Sequence, residues 1–379
     1  MPENPIGADD TLQTQIEKTN LLGLPQGDLE RWVVSMGEKP YRARQLLRWI
    51  YQNGVVDLSS MTDLSKYLRQ TLSESARIEL PSVLSRRDSA DGTVKWLFAS
   101  GSGQAVETVF IPEADRGTLC LSSQVGCALN CAFCATGAQG FNRNLSAAEI
   151  IGQVWHANQA LPRRTNGKFA VTNVVFMGMG EPLANYRNLI PAVRLLVSDL
   201  AYGISRRRVT VSTSGIVPQI DKLGDECNVA LAVSLHAPND DLRNRLVPIN
   251  RFHPIDELLA ACWRYAAKHT NRFVTFEYVM LRGVNDDLRH ADELAGLFEG
   301  KPAKINLIPF NPFTGNEFKR SSAETIRHFQ DRLRQRDLIV TTRKTRGEDI
   351  DAACGQLAGK VRDRVRTRLG EKNMRVVSA

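Results

Sequence analysis

Four of the chain's seven cysteines, Cys120, Cys127, Cys131 and Cys134, fall within 15 residues. Cys227, Cys262 and Cys354 stand far from them. An odd count of this kind does not make a disulfide framework and points instead to metal or redox chemistry. The run Cys127-Ala128-Leu129-Asn130-Cys131-Ala132-Phe133-Cys134 places three soft ligands in one loop. Such thiolates suit zinc or iron–sulfur clusters. Structural zinc takes four ligands, whereas this loop offers three and contains no histidine. Three thiolates match three irons of a cubane and leave the fourth iron open to bind and reduce a substrate.

These residues need elements to hold them. From about residue 117, extended segments are expected at 117–121, 172–177, 208–213, 229–235, 273–280 and 303–309, with helices near 146–160, 187–198, 255–269 and 287–299. Ser146 and Glu149 have the spacing of a capping box. Six strands alternating with helices predict an α/β fold, a parallel sheet curved into a partial barrel. Such folds carry their chemistry on loops after the C-terminal ends of the strands. The three-cysteine loop follows the first strand. A helix at 321–336, a strand at 338–342 and a last helix at 356–369 are expected to flank the loop that carries Cys354.

Upstream, residues 1–20 read as a disordered tail. Residues 21–80 read as a small helical domain, with Leu46, Leu47, Ile50 and Tyr51 on one stripe and arginines opposite. Its basic face either touches nucleic acid or is a plain surface. In 81–116 the Asp91-Gly92 turn signal, Trp96-Leu97-Phe98 and Val106 to Ile111 predict a β-hairpin linker. The barrel then covers 117–345, and 346–379 forms a C-terminal segment with the Cys354 loop and a basic helix.

With 42% hydrophobic and 24% charged residues, the composition is that of a globular chain and excludes collagen-like, disordered and small disulfide-scaffold classes. No run of about 18 apolar residues marks a membrane helix, and the N-terminus lacks the layout of a signal peptide. A cytoplasmic monomer is expected. The net charge is +8, and residues 319–379 account for all of it with 16 Lys/Arg against 8 Asp/Glu. That asymmetry fits either a polyanionic partner or a solvated basic helix face.

The C-x3-C-x2-C spacing, with Phe133 before the third cysteine, resembles the radical S-adenosylmethionine (SAM) superfamily. The resemblance implies a [4Fe-4S] cluster on Cys127, Cys131 and Cys134, whose open iron is chelated by SAM. Met177-Gly178-Met179-Gly180-Glu181-Pro182 resembles the superfamily's motif for the SAM amino group, which implies Gly180 and Glu181 as contacts. Ser212, then Ser234-Leu235-His236, then Asn311 end successive strands. Each alone would be a cap or turn residue; together on one rim they suit a bound ribose and amino acid.

Ser122-Ser123-Gln124-Val125-Gly126-Cys127, Gly140-Phe141-Asn142-Arg143-Asn144-Leu145 and Asp351-Ala352-Ala353-Cys354-Gly355-Gln356-Leu357 resemble the RlmN family, with its close relative Cfr. The family methylates C2 of adenosine, at position 2503 of 23S rRNA and position 37 of tRNA. The resemblance implies two SAM molecules per turnover. One methylates Cys354; the second yields a 5′-deoxyadenosyl radical that takes hydrogen from that methyl group. The methylene radical adds to C2, Glu107 accepts the C2 proton, and Cys120 resolves the covalent RNA adduct through a transient disulfide. An electron donor such as flavodoxin is implied. From the residues alone, Cys120 in Thr118-Leu119-Cys120-Leu121 reads as a core residue, and Glu107 as either a site residue or an edge residue. Cys227 and Cys262 read as structural. Arg206-Arg207-Arg208, Arg343-Lys344-Thr345-Arg346 and the arginines of 362–368 are candidate phosphate contacts. Two alternatives stay open: C8 methylation as in Cfr, and a non-catalytic, zinc-stabilised RNA-binding protein.

Overall fold

The computed structural model describes residues 18–101, 103–165, 167–268 and 273–362. Its centre is a ten-stranded sheet whose spatial order follows the chain. The strands are β1 (Val83–Asp88), β2 (Val94–Ala99), β3 (Ala105–Pro112), β4 (Gly117–Cys120), β5 (Asn173–Phe176), β6 (Val209–Thr213), β7 (Ala230–Ser234), β8 (Val274–Met280), β9 (Ala303–Pro309) and β10 (Ile339–Thr342). Strands β1 to β4 pair antiparallel, and β4 to β10 pair parallel.

Parallel strands need crossovers. Here these are supplied by helices α4 (Ala147–Ala160), α5 (Tyr186–Val197), α6 (Val217–Glu226), α7 (Asp240–Leu246), α8 (Ile255–Ala267), α9 (Leu288–Leu297) and α10 (Ala323–Arg334), after α1 (Gln26–Ser35), α2 (Tyr41–Leu47) and α3 (Lys66–Ser75) in the N-terminal region. The capping box forms: the Glu149 amide donates to Ser146 Oγ at 3.2 Å, and the Ser146 amide donates to Glu149 Oε2 at 2.9 Å. Along α4, Ile150, Val154 and Ala157 are fully buried, the stripe a helix must lay on a sheet.

Several expectations are corrected. Thr19–Asn20 is a short strand paired with Ala76–Arg77, so the expected tail does not extend to residue 20; residues 1–17 lie outside the described ones. Segment 81–116, expected as a β-hairpin or small sheet, forms β1–β3, which extend the barrel sheet edge to edge. Helices α6 and α7 are additions. Pro218 sits in the first turn of α6, where its missing N–H removes no intrahelical bond. The basic helix at 356–369 is not seen in its described part. Residues 356–362 run extended, with Lys360 bridged to Ala105, and 363–369 lie outside the described residues. Gly359 shows why: a Cβ there would lie 2.2 Å from the Ala105 carbonyl oxygen, so the chain lies directly against β3. The buried side chains of the N-terminal helices, sheet and most crossover helices form one apolar cluster from Leu21 to Leu357, and a second, around Leu242 and Leu246 of α7 with Val279 and Phe310, lies beside the cysteine loop.

Candidate active site

The cysteine loop begins where β4 ends. Buried Gln153 on α4 fixes this exit: its Oε1 accepts from the Ser122 amide at 3.0 Å and from Thr108 Oγ1 at 2.6 Å. A ribbon of Gln124–Gly126 against Phe141–Asn144 brackets the loop. Burial pushes the Cys131 thiol up to about 12 and the Cys127 thiol well above its ordinary value, and the neighbouring thiols add to both. A bound cation is therefore needed to ionise these ligands. All the cysteines are free thiols. Among the described residues no three His, Cys, Asp or Glu side chains converge on one ion. A cubane does not require that, because each thiolate takes its own iron. Three reduced thiols on one wall of a cavity, with glycines opposite, fit such a cluster.

That cleft, about 950 Å³ with its open mouth included, lies at the C-terminal ends of the strands. Cys127, Cys131 and Cys134 line one side; Gly180, Glu181, Ser212, Ser234, His236 and Asn311 line the rim; Cys354 closes it. Glu181 caps the turn after β5, accepting from the Leu183 amide at 3.0 Å and the Ser214 amide at 2.8 Å. Burial outweighs these bonds and raises its carboxyl to about 7. Leu235 is fully buried and lines no cavity; its amide donates to the Glu277 carbonyl.

Cys354 sits on a strap, residues 343–362, that crosses the barrel rim. Its carbonyl accepts from Asn311 Nδ2 at 3.1 Å, and the Gly355 carbonyl accepts from the Ala135 amide at 2.8 Å, beside Cys134. A second cavity of about 1810 Å³ runs through the barrel toward the N-terminal ends of the strands. Cys354 lines both cavities, and Cys120 lines only the second. Burial, with the nearby Cys354, pushes Cys120 up to about 12. Glu107 lines neither cavity. Its Oε1 pairs with Lys95 Nζ at 3.0 Å, and its Oε2 accepts from the Ala358 amide at 3.0 Å.

Two model matches bear on this arrangement. Residues 19–78 match the ribosomal RNA large subunit methyltransferase N-terminal domain, and residues 121–295 match the radical SAM superfamily. A radical SAM methyltransferase from Sphaerobacter thermophilus is 47% identical, covering 89% of this chain and 99% of that one, with a TM-score of 0.83. The chain belongs to the RlmN-type radical SAM methyltransferases. Membership of the superfamily brings with it a [4Fe-4S] cluster and SAM, and it replaces the zinc-stabilised, non-catalytic alternative. More distant structures also match: SuiB of Streptococcus suis bound to SAM, at 14% identity over 61% of this chain and 52% of that one with a TM-score of 0.45, and a domain of the pyruvate-formate lyase-activating enzyme of Bacteroides vulgatus, at 21% over 45% and 99% with a TM-score of 0.36.

Three residues of this methyltransferase were not legible as site residues. Arg343, read as a phosphate contact, turns into the barrel between the cavities, beside Glu277, Cys354 and Cys120. Glu277 is buried on β8 and accepts from Asn306 Nδ2 at 2.8 Å; its position in an apolar strand was the available signal. Arg243, fully buried, donates to the carbonyls of Ser214, Ser234 and Leu235, tying together the ends of β6 and β7. Among the described residues no helix is long and apolar enough to cross a membrane.

Proposed function

We propose that this enzyme methylates C2 of adenosine, at position 2503 of 23S rRNA and position 37 of tRNA, in the cytoplasm. The observation that carries this reading is Cys354 standing between a SAM-sized cavity beside three thiols and a larger cavity that also holds Cys120. C2 of adenine is electron-poor and does not attack a sulfonium methyl as an amine would, so a carbon radical must add to it.

Cys127, Cys131 and Cys134 would hold the cluster. When bound it supplies the electron that splits the SAM sulfonium and gives a 5′-deoxyadenosyl radical. Gly180 and Glu181 receive the SAM amino group, and Ser212, Ser234, His236 and Asn311 frame its ribose and carboxylate, with Leu235 buried behind them, its backbone bonded to Glu277 and Arg243. Cys354 takes a methyl group from one SAM, and the methyl loses hydrogen when a second SAM is consumed. The methylene carbon bonds to C2, joining enzyme and RNA. Glu107 receives the C2 proton as the adduct radical returns one electron to the external electron carrier. The Cys120 thiolate attacks the Cys354 sulfur, the bond from that sulfur to the methylene carbon breaks, and the carbon takes a proton to become the methyl group of the released RNA, leaving a disulfide for external thiols to reduce. Burial raises both thiols, and cationic Arg343 beside them offsets part of that cost.

With SAM in the first cavity, the adenine reaches Cys354 from the second. Arg116, Lys304, Lys344 and Arg346 line that cavity and suit phosphates. The target base leaves its stack to reach the sulfur. An anaerobic assay with SAM, a flavodoxin-type reductant, an rRNA fragment and a tRNA tests the proposal. Nuclease digestion should give 2-methyladenosine from both RNAs; 8-methyladenosine, or no product, overturns it.

A further inference from the structure

Lys95 is among the few buried charged residues outside the SAM cavity. Buried ammonium groups are rare unless paired, and this one has two partners. Its Nζ lies 3.0 Å from Glu107 Oε1 and donates to the Asp351 carbonyl at 3.0 Å. The sheet register makes the first contact possible: Leu97 on β2 stands opposite Glu107 on β3, so Lys95 is the diagonal neighbour on the same face. Asp351 holds a left-handed backbone, φ 51°, a conformation that a non-glycine residue keeps when its surroundings impose it. The other oxygen of Glu107 accepts from the Ala358 amide at 3.0 Å. One ion pair therefore touches the strap at Asp351 and at Ala358, on both sides of Cys354.

We propose that Lys95 is a positioning residue of this methyltransferase: with Glu107 it clamps both ends of the Cys354 loop to the β-extension and so sets where the Cys354 sulfur stands. This rests on the reading of Cys354 and Glu107 given above. It adds a consequence. When the C2–H bond breaks and its proton passes to Glu107, the carboxyl becomes neutral and its attraction for Lys95 falls. The grip on the strap loosens at the step after which Cys354 must meet Cys120.

The test uses the full chain in two forms, K95M and K95R, and two readouts. The first is amide hydrogen exchange of residues 351–362 without SAM or RNA. The second is the kcat and KM of RNA methylation. In K95M the Ala358 and Lys360 amides should exchange about tenfold faster or more, and kcat should fall by about 10- to 100-fold with KM for RNA little changed, as for lost orienting partners elsewhere. K95R keeps the cation and should recover both readouts in part. Unchanged exchange in K95M overturns the clamp, whatever the activity. Faster exchange with wild-type kcat overturns the positioning role. Should K95M fail to fold, K95R that folds yet matches no part of wild-type protection also overturns it. If wild-type enzyme makes no methyladenosine, the functional reading falls while the exchange arm still decides the clamp.

Discussion

His236 follows β7 in the left-handed region, φ 61°, and that conformation aims its ring into the SAM cavity. Nδ1 accepts from the Val279 amide at 3.0 Å, so the neutral ring must carry its proton on Nε2. Burial, helped by nearby Arg243, pulls its pKa down to about 3. The unfolded imidazole takes a proton near 6.5, whereas the folded one does not until about 3. Its contribution to stability is therefore full above about pH 6.5 and is lost as pH falls toward 3. Ring-nitrogen NMR should show one unchanging neutral tautomer from pH 5 to 9; a titration centred near 6.5 would contradict the burial argument. The thiols give a second residue-level expectation. Cys354→Ala should abolish methyl transfer to RNA while leaving SAM cleavage to the cluster-bearing protein intact. Cys120→Ala should trap a covalent protein–RNA adduct visible by denaturing gel. If Cys120→Ala turned over normally, its assigned role would be wrong. The three cluster cysteines were readable because their spacing is local. Lys95, Arg343 and Glu277 were not, because each gains meaning only from partners far away in sequence, such as Lys95 with Asp351.

At the scale of elements, the six strands and most crossover helices were written in local pattern, and the barrel core follows them closely. The misread pieces are those whose bonds leave their own segment. Strands β1–β3 have a hairpin's pattern, and nothing local shows that β3 pairs with β4 and so joins the barrel. The β1–β2 turn holds the strap: the Gly347 amide donates to Asp91 Oδ2 at 3.1 Å, and Ser89 Oγ donates to Asp349 Oδ1 at 2.6 Å. A basic helix is expected over 356–369, yet among the described residues the backbone bonds of Gly355 and Lys360 run to the cysteine loop and to β3. The turn after β5 gives the sharpest element-level expectation. Gly180 has φ +96°, and a Cβ there would lie 2.4 Å from the Gln124 Cβ. Gln124 cannot yield freely, since its Oε1 receives the Glu181 amide at 2.8 Å and its Nε2 donates to Asn144 at 2.8 Å. Gly180→Ala should cost about 1–3 kcal/mol from backbone strain alone, with more from the clash. Thermal unfolding should show a lowered Tm, and calorimetry should show weakened SAM binding. An alanine variant with wild-type values for both would mean that this turn is not tightly held.

For the whole molecule, charge and cavities point the same way. Lys304 and Lys344 are exposed residues lining the second cavity. Lys304 Nζ stands 4.8 Å from the Phe273 ring centroid, which leaves it available to an anion. Arg116 is paired with Glu113, and Arg346 lies 3.8 Å from Asp91, so part of their charge is already answered. The two lysines should therefore carry more of the attraction for RNA than the two arginines. An RNA whose phosphates displace counterions at these lysines binds with log K falling linearly in log salt concentration. Lys304→Glu and Lys344→Glu should each weaken RNA binding across sequences and reduce that slope by about one or more. SAM affinity should stay unchanged, because neither residue lines the SAM cavity. Filter binding of tRNA over a salt series, alongside SAM calorimetry, measures both. A slope unaltered in both variants would place the RNA on another face of the barrel and leave the second cavity to the thiols that reduce the disulfide.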